Sequence, residues 1–179
     1  RFPWMDKQGR YLVVTHGWRS QKNFSGKLAD VWDVEVVKTF RGEYQPGDKL
    51  SRMRTQNQWN SHLSEILSRA TVLLTIKNGG ASVAPGSVTV PVLIQITEAN
   101  GAAFFGIPLI VEVLPEKPNT RGPGTFTPFN YFIPTQADLD GLNVEYTAPP
   151  AAPAPAPVAT PPAAPVAPVA STPAAEVDD

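Results

Sequence analysis

Basic side chains that lie close to aromatic ones are the residues best suited to chemistry in this sequence. Lys and Arg neutralise phosphate groups and release counterions, whereas flat aromatic rings stack on bases whatever their identity. Together, these residue types are typical of a surface that binds single-stranded nucleic acid. The candidate set consists of Trp18, Arg19, Lys22, Arg52, Arg54, Lys117, Arg121, Phe129 and Tyr131. Lys27 and Phe126 lie in the same segments.

Aromatic residues on strands usually pack in a core, so each ring needs its own interpretation. The rings that we expect in the core or in helix packing are Trp32, Phe40, Phe104 and Trp59. Trp18 lies near a turn and next to Arg19, which leaves core packing and base stacking open. Phe129 and Tyr131 share one strand face, which favours binding.

Residues that could carry catalysis are scarce. His16 and His62 are the only histidines, and the absence of cysteine excludes thiol nucleophiles, disulfides and cysteine-based zinc sites. The sequence contains no HExxH motif, no GxSxG motif and no glycine-rich phosphate loop. Asp33 and Glu35 alternate along a strand, which is typical of a solvated face. We therefore expect no enzymatic activity, no catalytic residue, no metal and no cofactor.

The charge is divided unevenly along the chain, although its net value is −1. Residues 1–77 hold 13 Lys+Arg against 7 Asp+Glu, a net of +6, and residues 78–179 hold 2 against 9, a net of −7. A segregated basic half favours a polyanion as partner. No stretch reaches the roughly 18 apolar residues of a membrane span. The chain starts at Arg1, which leaves a cleaved signal peptide open.

Hydrophobic periodicity predicts a mainly β domain over residues 1–147. Alternating apolar residues and turn residues predict strands over 9–21, 28–40, 49–55, 104–114 and 125–134. The period of two places Arg52 and Arg54 on one strand face. An amphipathic helix is predicted over roughly 58–70, and the segment 87–98 is compatible with either a strand or a helix. Several short strands and one helix predict a small mixed β-barrel.

Residues 148–179 are rich in Pro and Ala and contain no aromatic or basic residue. Proline lacks an amide donor and forces the preceding residue into extended geometry, so neither a helix nor a sheet can propagate. Because Ala and Val alone bury too little surface to offset the entropy of ordering, we predict a disordered tail. The tail is either a passive spacer or a tether for an acidic tip, formed by Glu176, Asp178 and Asp179.

Two blocks of the sequence share their order of motifs with a known family. The matching residues of the first block are Gly9, Tyr11, Val13, Lys22, Ser25, Gly26, Val36, Thr39, Pro46, Gly47 and Arg52. Those of the second block are Phe126, Thr127, Phe132 and Pro134. In this order of strands and turns, residues 9–70 and 102–134 resemble bacteriophage single-stranded DNA-binding proteins with an OB-like fold. The acidic stretch 78–147, with its Gly/Val-rich insertion, has no counterpart that we can place.

The resemblance implies a small OB-like β-barrel with one amphipathic helix. It implies binding of single-stranded DNA without sequence specificity, in phage replication or recombination, in the cytoplasm of a bacterial host. The basic residues of the candidate set would follow the strand, and Trp18, Phe129 and Tyr131 would stack its bases. The acidic tip would recruit replication or recombination proteins and compete with DNA. A second copy of the chain is a further expected partner, and a membrane is not.

Other classes of protein also fit the sequence. The first alternative is a structural β-domain of a virion or secretion assembly, in which the Pro/Ala tail is an extended arm. The second is a secreted binding module whose signal peptide was removed before Arg1. An enzyme ranks last, because the chain offers so few catalytic residues.

Overall fold

The alternating first half of the chain forms three consecutive antiparallel strands. They are β1 (Gly9–Lys22), β2 (Leu28–Arg41) and β3 (Lys49–Thr55). The pairing of β1 with β2 contains three register irregularities, one of them between Thr15 and Gly17. Such bulges bend a strand and increase its twist, so the two long strands do not lie flat.

The computed structural model describes residues 1–55, 61–84 and 86–142. Two predictions fall outside these ranges: the packing role of Trp59 and the disordered tail over residues 148–179. The first residues of the predicted helix 58–70 are also outside them. The boundary between a domain and a tail at residue 147 therefore stays a prediction.

Two substantial helices follow the first three strands. α1 (Ser61–Lys77) continues beyond the predicted end at Ala70, and α2 (Val90–Glu98) occupies the segment for which both a strand and a helix were open. Pro91 lies in the first turn of α2, where the missing amide leaves no hydrogen bond unmade. The remaining elements are β4 (Pro108–Val113), β5 (Lys117–Pro118), β6 (Thr125–Phe126), β7 (Phe129–Phe132) and the short α3 (Gln136–Leu139). The fold is mixed α/β, with more helix than predicted.

Five strands form one antiparallel sheet in the order β3-β2-β1-β4-β7, and β5 and β6 form a separate hairpin. Within the described residues the two edge strands, β3 and β7, do not pair, so the sheet does not close into the predicted barrel. The N-terminal segment covers part of the free edge of β3. Ser51 donates its amide to the carbonyl of Pro3 and accepts the amide of Met5, each at 2.8 Å.

Each face of the sheet carries a hydrophobic cluster, because successive side chains of a strand point to opposite sides. On one face, Tyr11 and Trp32 belong to a large cluster that includes Leu73 of α1. On the other face, Leu12 packs in a smaller cluster with Leu139 of α3. The predicted core positions of Trp32 and Phe104 are confirmed, since both side chains are buried. Phe40 is half-buried and packs against the smaller cluster.

The residue pair Trp18 and Asn100 joins β1 to the segment that follows α2 through hydrogen bonds. The amide of Trp18 donates to the main-chain oxygen of Asn100 at 3.0 Å and to its side-chain Oδ1 at 3.1 Å. Gly101 follows with a φ of 69°, and a Cβ at this position would lie 2.7 Å from the Cβ of Trp18. Glycine is therefore required here, both for the positive φ and for the close approach of the chain to β1.

A buried ion pair orients α1 on the sheet. Arg69 is fully buried, and its Nη2 donates to Oδ2 of Asp30 at 2.5 Å. The other carboxylate oxygen of Asp30 accepts the indole N–H of Trp18 at 2.5 Å. The guanidinium carbon lies 4.4 Å from the ring centroid of Trp18 and 4.6 Å from that of Trp32. The carboxylate and the ring faces together offset the cost of removing the cation from water.

Replacing Arg69 by Met should lower the free energy of unfolding by about 3–5 kcal/mol, because the change leaves the Asp30 carboxylate buried without its cation. Urea unfolding followed by circular dichroism measures the loss. The matched control is Arg121→Met, at an exposed arginine for which the described residues provide no ion pair. The control should change stability by no more than about 0.5 kcal/mol. Equal stabilities of the two variants would contradict the structural role of the pair.

Candidate nucleic-acid interface

Arg52 and Arg54 share one face of β3, as predicted, but that face points inward. Arg52 binds Glu65 of α1 through two hydrogen bonds, Nε to Oε1 and Nη2 to Oε2, each 3.0 Å long. Arg54 donates from Nε to Oε2 of the same carboxylate at 2.5 Å. Arg52 also reaches the carbonyl of Thr127, just before β7, at 2.9 Å. The two arginines therefore link β3 to α1 and to the chain before β7.

Phe129 and Tyr131 complete this cluster from β7. The Arg52 guanidinium lies 3.6 Å from the ring centroid of Phe129, and the Tyr131 hydroxyl donates to Oε1 of Glu65 at 3.0 Å. Phe129 is 7% exposed and Tyr131 is 6% exposed. Their rings face the protein interior, so the expectation that they stack on bases requires correction. The side chains of Arg52 and Arg54 are only 10% and 11% exposed, so they are not free phosphate ligands either.

The electrostatics of the cluster follow from its burial. Burial alone would raise the pKa of Glu65, but hydrogen bonds from the two arginines and their charges lower it to about 2. Burial lowers the pKa of Arg54 and of His62, whose Nε2 lies 3.5 Å from Nη1 of Arg54. Burial also raises the pKa of Tyr131, and the charge of Glu65 raises it further. The cluster therefore consists of one buried carboxylate held between two guanidinium groups.

Trp18 belongs to the core. Its side chain is fully buried, and its ring packs against Phe104 with a centroid separation of 6.1 Å. Because the side chain is fully buried and the Arg69 guanidinium lies over the ring, the ring has no face available to a base. The interpretation of Trp18 as a stacking residue is therefore also corrected, and the core alternative applies.

Arg19 lies on the solvent side of β1 and is about one-third exposed at its side chain. Its guanidinium forms an ion pair with Asp33 of β2, and Asp33 also accepts the hydroxyl of Ser51 at 2.5 Å. The predicted solvated face of Asp33 and Glu35 therefore consists of paired charges, since Glu35 bonds Nε2 of His16 at 2.6 Å. Arg19 is accessible, but its charge is largely neutralised.

The turn between β1 and β2 contains an exposed aromatic residue that the candidate set did not include. Phe24 is fully exposed, at 102%, between Lys22 and Lys27. Both lysines are exposed, and within the described residues neither forms an ion pair. The sequence signal was one aromatic residue inside an otherwise polar turn, KNFSGK.

Asn23 gives this turn a defined shape. Its Oδ1 accepts the main-chain amides of Ser25 at 3.0 Å and Lys27 at 2.9 Å. The main-chain amide of Asn23 donates to the carbonyl of Lys27 at 2.8 Å. Gly26 adopts a φ of 73°, which a side chain would strain. The backbone that carries Phe24 is therefore preorganised while its ring remains in solvent.

A second hairpin, β5–β6, carries Lys117 and Arg121. Both are exposed, and Lys117 pairs directly with Phe126, which is 37% exposed. Asn119 closes the hairpin, because its amide donates to the carbonyl of Gly124 at 2.9 Å. This hairpin therefore repeats the pairing of exposed cations with an exposed ring.

The two hairpins border the same end of β3. Thr55, the last residue of β3, pairs with Ala29 at the start of β2, a few residues from the β1–β2 turn. On the other side, Nη2 of Arg54 lies 3.4 Å from the carbonyl of Thr127, next to Phe126. The buried arginines thus hold the β5–β6 hairpin beside the edge to which the β1–β2 turn belongs.

Other kinds of site lack support in the part of the chain that the structure describes. No group of three or more His, Asp or Glu residues there could hold a metal ion. None of the described helices is long and apolar enough to cross a membrane. The predicted partner-binding residues Glu176, Asp178 and Asp179 lie outside the described residues.

Lowering the pH from about 5 to about 2 should reduce the free energy of unfolding through Glu65. Its pKa falls from 4.5 to about 2 on folding, so its contribution is present above pH 4.5 and is lost as the pH falls to the folded value. The loss is about 3 kcal/mol, since one pKa unit corresponds to about 1.4 kcal/mol. Urea titrations across this pH range should show a shallower pH dependence for Glu65→Gln than for Glu98→Gln, a control at an exposed carboxylate. Parallel pH curves for both variants would refute the assignment.

Comparisons with known proteins do not assign a family or a function to this chain. No protein-family model matches the chain, and a search of curated proteins finds no significant match. Within the described residues, the two hairpins carry basic and aromatic side chains that are exposed to solvent. No family membership is established for this chain.

Proposed function

We propose that this protein binds single-stranded DNA without sequence specificity, through the β1–β2 and β5–β6 hairpins. The observation that carries the proposal is Phe24, a fully exposed ring between two lysines that have no ion pair within the described residues. An exposed ring costs hydration free energy unless something covers it. A nucleobase is a suitable cover, because it stacks on the ring while its phosphates meet the lysines.

The topology supports the choice of these two hairpins. An OB fold is a partly open, five-stranded barrel that binds oligonucleotides through strands 2–3 and the loops that follow strands 1 and 4. In chain order, the five strands of this sheet are β1, β2, β3, β4 and β7. The loop after the first strand is the turn with Phe24, and the loop after the fourth contains β5–β6. An OB-like fold is therefore part of the proposal.

The gap between the edge strands also agrees with a partly open barrel. Arg52 and Arg54 of β3 bond the carbonyl of Thr127 at 2.9 Å and 3.4 Å, and Thr127 lies two residues before β7. Side chains thus cross the gap between β3 and β7, for which the described residues form no main-chain ladder. In the proposal, these arginines position the β5–β6 hairpin, and the residues that contact DNA are Lys22, Phe24, Lys27, Lys117 and Arg121, with Phe126 beside them. A role in phage replication or recombination rests on the order of motifs and is proposed with it.

One observation favours the structural alternative. α2 and the segment after it expose the apolar residues Val90, Ile94 and Phe105, at 41%, 49% and 47%. Exposed apolar surface of this kind often marks contact with another protein. A structural β-domain would associate through this face and would not bind oligonucleotides, whereas the proposed function requires binding.

Phe24→Ala should weaken binding of oligo-dT about 5- to 150-fold, since stacking contributes about 1–3 kcal/mol per base. Fluorescence anisotropy of a dye-labelled oligonucleotide at low salt is the appropriate measurement, because Trp18 and Trp32 are fully buried and report little on the hairpins. Phe105→Ala removes an exposed phenylalanine outside both hairpins and should bind as the wild type does. If wild-type protein shows no binding, the proposed function fails. If Phe24→Ala binds as tightly as Phe105→Ala, the hairpin assignment fails.

The double variant Lys22→Gln, Lys27→Gln should reduce the salt dependence of binding. Each phosphate contact on a single strand contributes about −0.7 to the slope of log K against log salt, so the slope should become less steep by about 1.4. Anisotropy titrations at a series of NaCl concentrations give the slope. Lys77→Gln, at an exposed lysine at the end of α1, is the control and should leave the slope unchanged. An unchanged slope in the double variant would rule out phosphate contacts at this turn.

A further inference from the structure

A groove of about 450 Å³ lies at the other end of β3 from the two hairpins. Its lining comes from the N-terminal segment, the turn between β2 and β3, and the first residues of β3, and includes Trp4, Asp6, Lys7, Tyr44, Asp48 and Lys49. The volume lies within the range of about 300–1,000 Å³ that is usual for small-ligand sites. The groove thus has room for at least one nucleobase, and no residue that lines it belongs to the two hairpins.

The walls of the groove are held in place by hydrogen bonds. The hydroxyl of Tyr44 accepts the amides of Asp6 at 2.9 Å and Lys7 at 3.1 Å. Pro3 and Met5, on either side of Trp4, bond the backbone of Ser51 on β3. Trp4 therefore extends from an anchored backbone, and its position relative to β3 is defined before any ligand arrives.

The chemistry of the groove suits a base and its phosphate. Trp4 is a large aromatic residue that remains 36% exposed, and the Arg1 guanidinium lies 4.4 Å from its ring centroid. Lys49 is exposed and has no ion pair within the described residues, whereas Lys7 is paired with Glu43 at 2.7 Å.

Each of the two carboxylates in the groove accepts a hydrogen bond from a group of the protein. Asp6 accepts the Tyr44 hydroxyl at 3.0 Å, and Asp48 accepts the amide of Gln45 at 2.8 Å. The side chains that offer contacts to a base and a phosphate are the exposed part of the Trp4 indole and the Lys49 ammonium, the same pair of residue types as in each hairpin.

The position of the groove connects it to the proposed DNA path. Lys49 is the first residue of β3, and Thr55, beside the hairpins, is its last. A strand of this length extends about 20 Å at roughly 3.3 Å per residue. That distance is short enough for one oligonucleotide to contact both ends within the about 4–16 nucleotides that an OB fold occupies.

We propose that this groove is a second subsite for the same DNA strand, in which a base stacks on Trp4 and its phosphate contacts Lys49. The inference rests on the proposed function, because it extends a strand that first binds the hairpins. Long oligonucleotides engage the hairpins and the groove together, whereas short ones engage one of them. Trp4 then becomes covered only when the DNA is long enough.

The test compares oligo-dT of about 4 and about 16 nucleotides, the limits of OB-fold site size. In Trp4→Ala, the gain in affinity from the short to the long oligonucleotide should shrink about fivefold or more, the effect of losing one stacked base. Trp4→Phe keeps a stacking ring, so its affinity should stay closer to that of the wild type. In the wild type, long oligonucleotides should also quench tryptophan fluorescence, and Trp4→Phe should lose that part of the change that Trp4 reports.

The outcomes separate the groove from the hairpins. If wild-type protein binds neither oligonucleotide, the proposed function fails and the subsite fails with it. If long oligonucleotides bind and Trp4→Ala keeps the full length dependence, or Trp4→Phe keeps the full fluorescence change, the subsite is excluded while the hairpin site stands. Lys49→Gln is a second variant that leaves the anchoring of Trp4 intact, and it should lower the salt slope for the long oligonucleotide by about 0.7. An unchanged slope would also count against the subsite.

Discussion

The hydrogen bonds and ion pairs of the Glu65 carboxylate are the interaction on which the relative positions of α1, β3 and β7 depend. It accepts hydrogen bonds from Arg52 and Arg54 of β3 and from Tyr131 of β7. Because β3 and β7 are the two edges of the sheet and do not pair directly within the described residues, one side chain of α1 links two strands that lack a ladder of their own. A buried carboxylate can play this part only because two cations offset the cost of its burial.

The same interaction removes two cations from the exposed surface of the protein. Arg52 and Arg54 are basic residues on a short strand, and their spacing is as compatible with phosphate contacts as with buried pairing. Glu65 and the carbonyl of Thr127 occupy most of their donors. What the arginines contribute is position, since they hold the chain before β7, and with it the β5–β6 hairpin, beside β3. Within the described residues, the exposed cations without an ion pair include Lys22, Lys27, Lys117 and Arg121 of the hairpins and Lys49 at the start of β3.

The fold also decides which aromatic residues are buried and which are exposed. Trp18, Trp32 and Tyr131 surround the guanidinium of Arg69, with ring centroids 4.4, 4.6 and 5.8 Å from its central carbon. An aromatic ring beside a cation is typical of protein surfaces that bind single-stranded nucleic acid. In this protein, the same pairing of residue types packs the buried Arg69 in the core. Phe24 and Trp4 do not contact Arg69, because they belong to a turn and to the N-terminal segment, and both rings are exposed in the described part of the chain.

The sequence alone determined the local features of this protein: the first three strands and their faces, the helix after them, the buried positions of Trp32 and Phe104, and the scarcity of catalytic residues. These follow from periodicity and residue type, which act over a few neighbouring positions. Only the tertiary structure decided which cations and rings are free. Arg52 meets Glu65 across 13 residues and Thr127 across 75, and Arg69 meets Asp30 across 39. No local pattern encodes such pairings, because the energy of burying a charge depends on the partner that the whole fold brings to it.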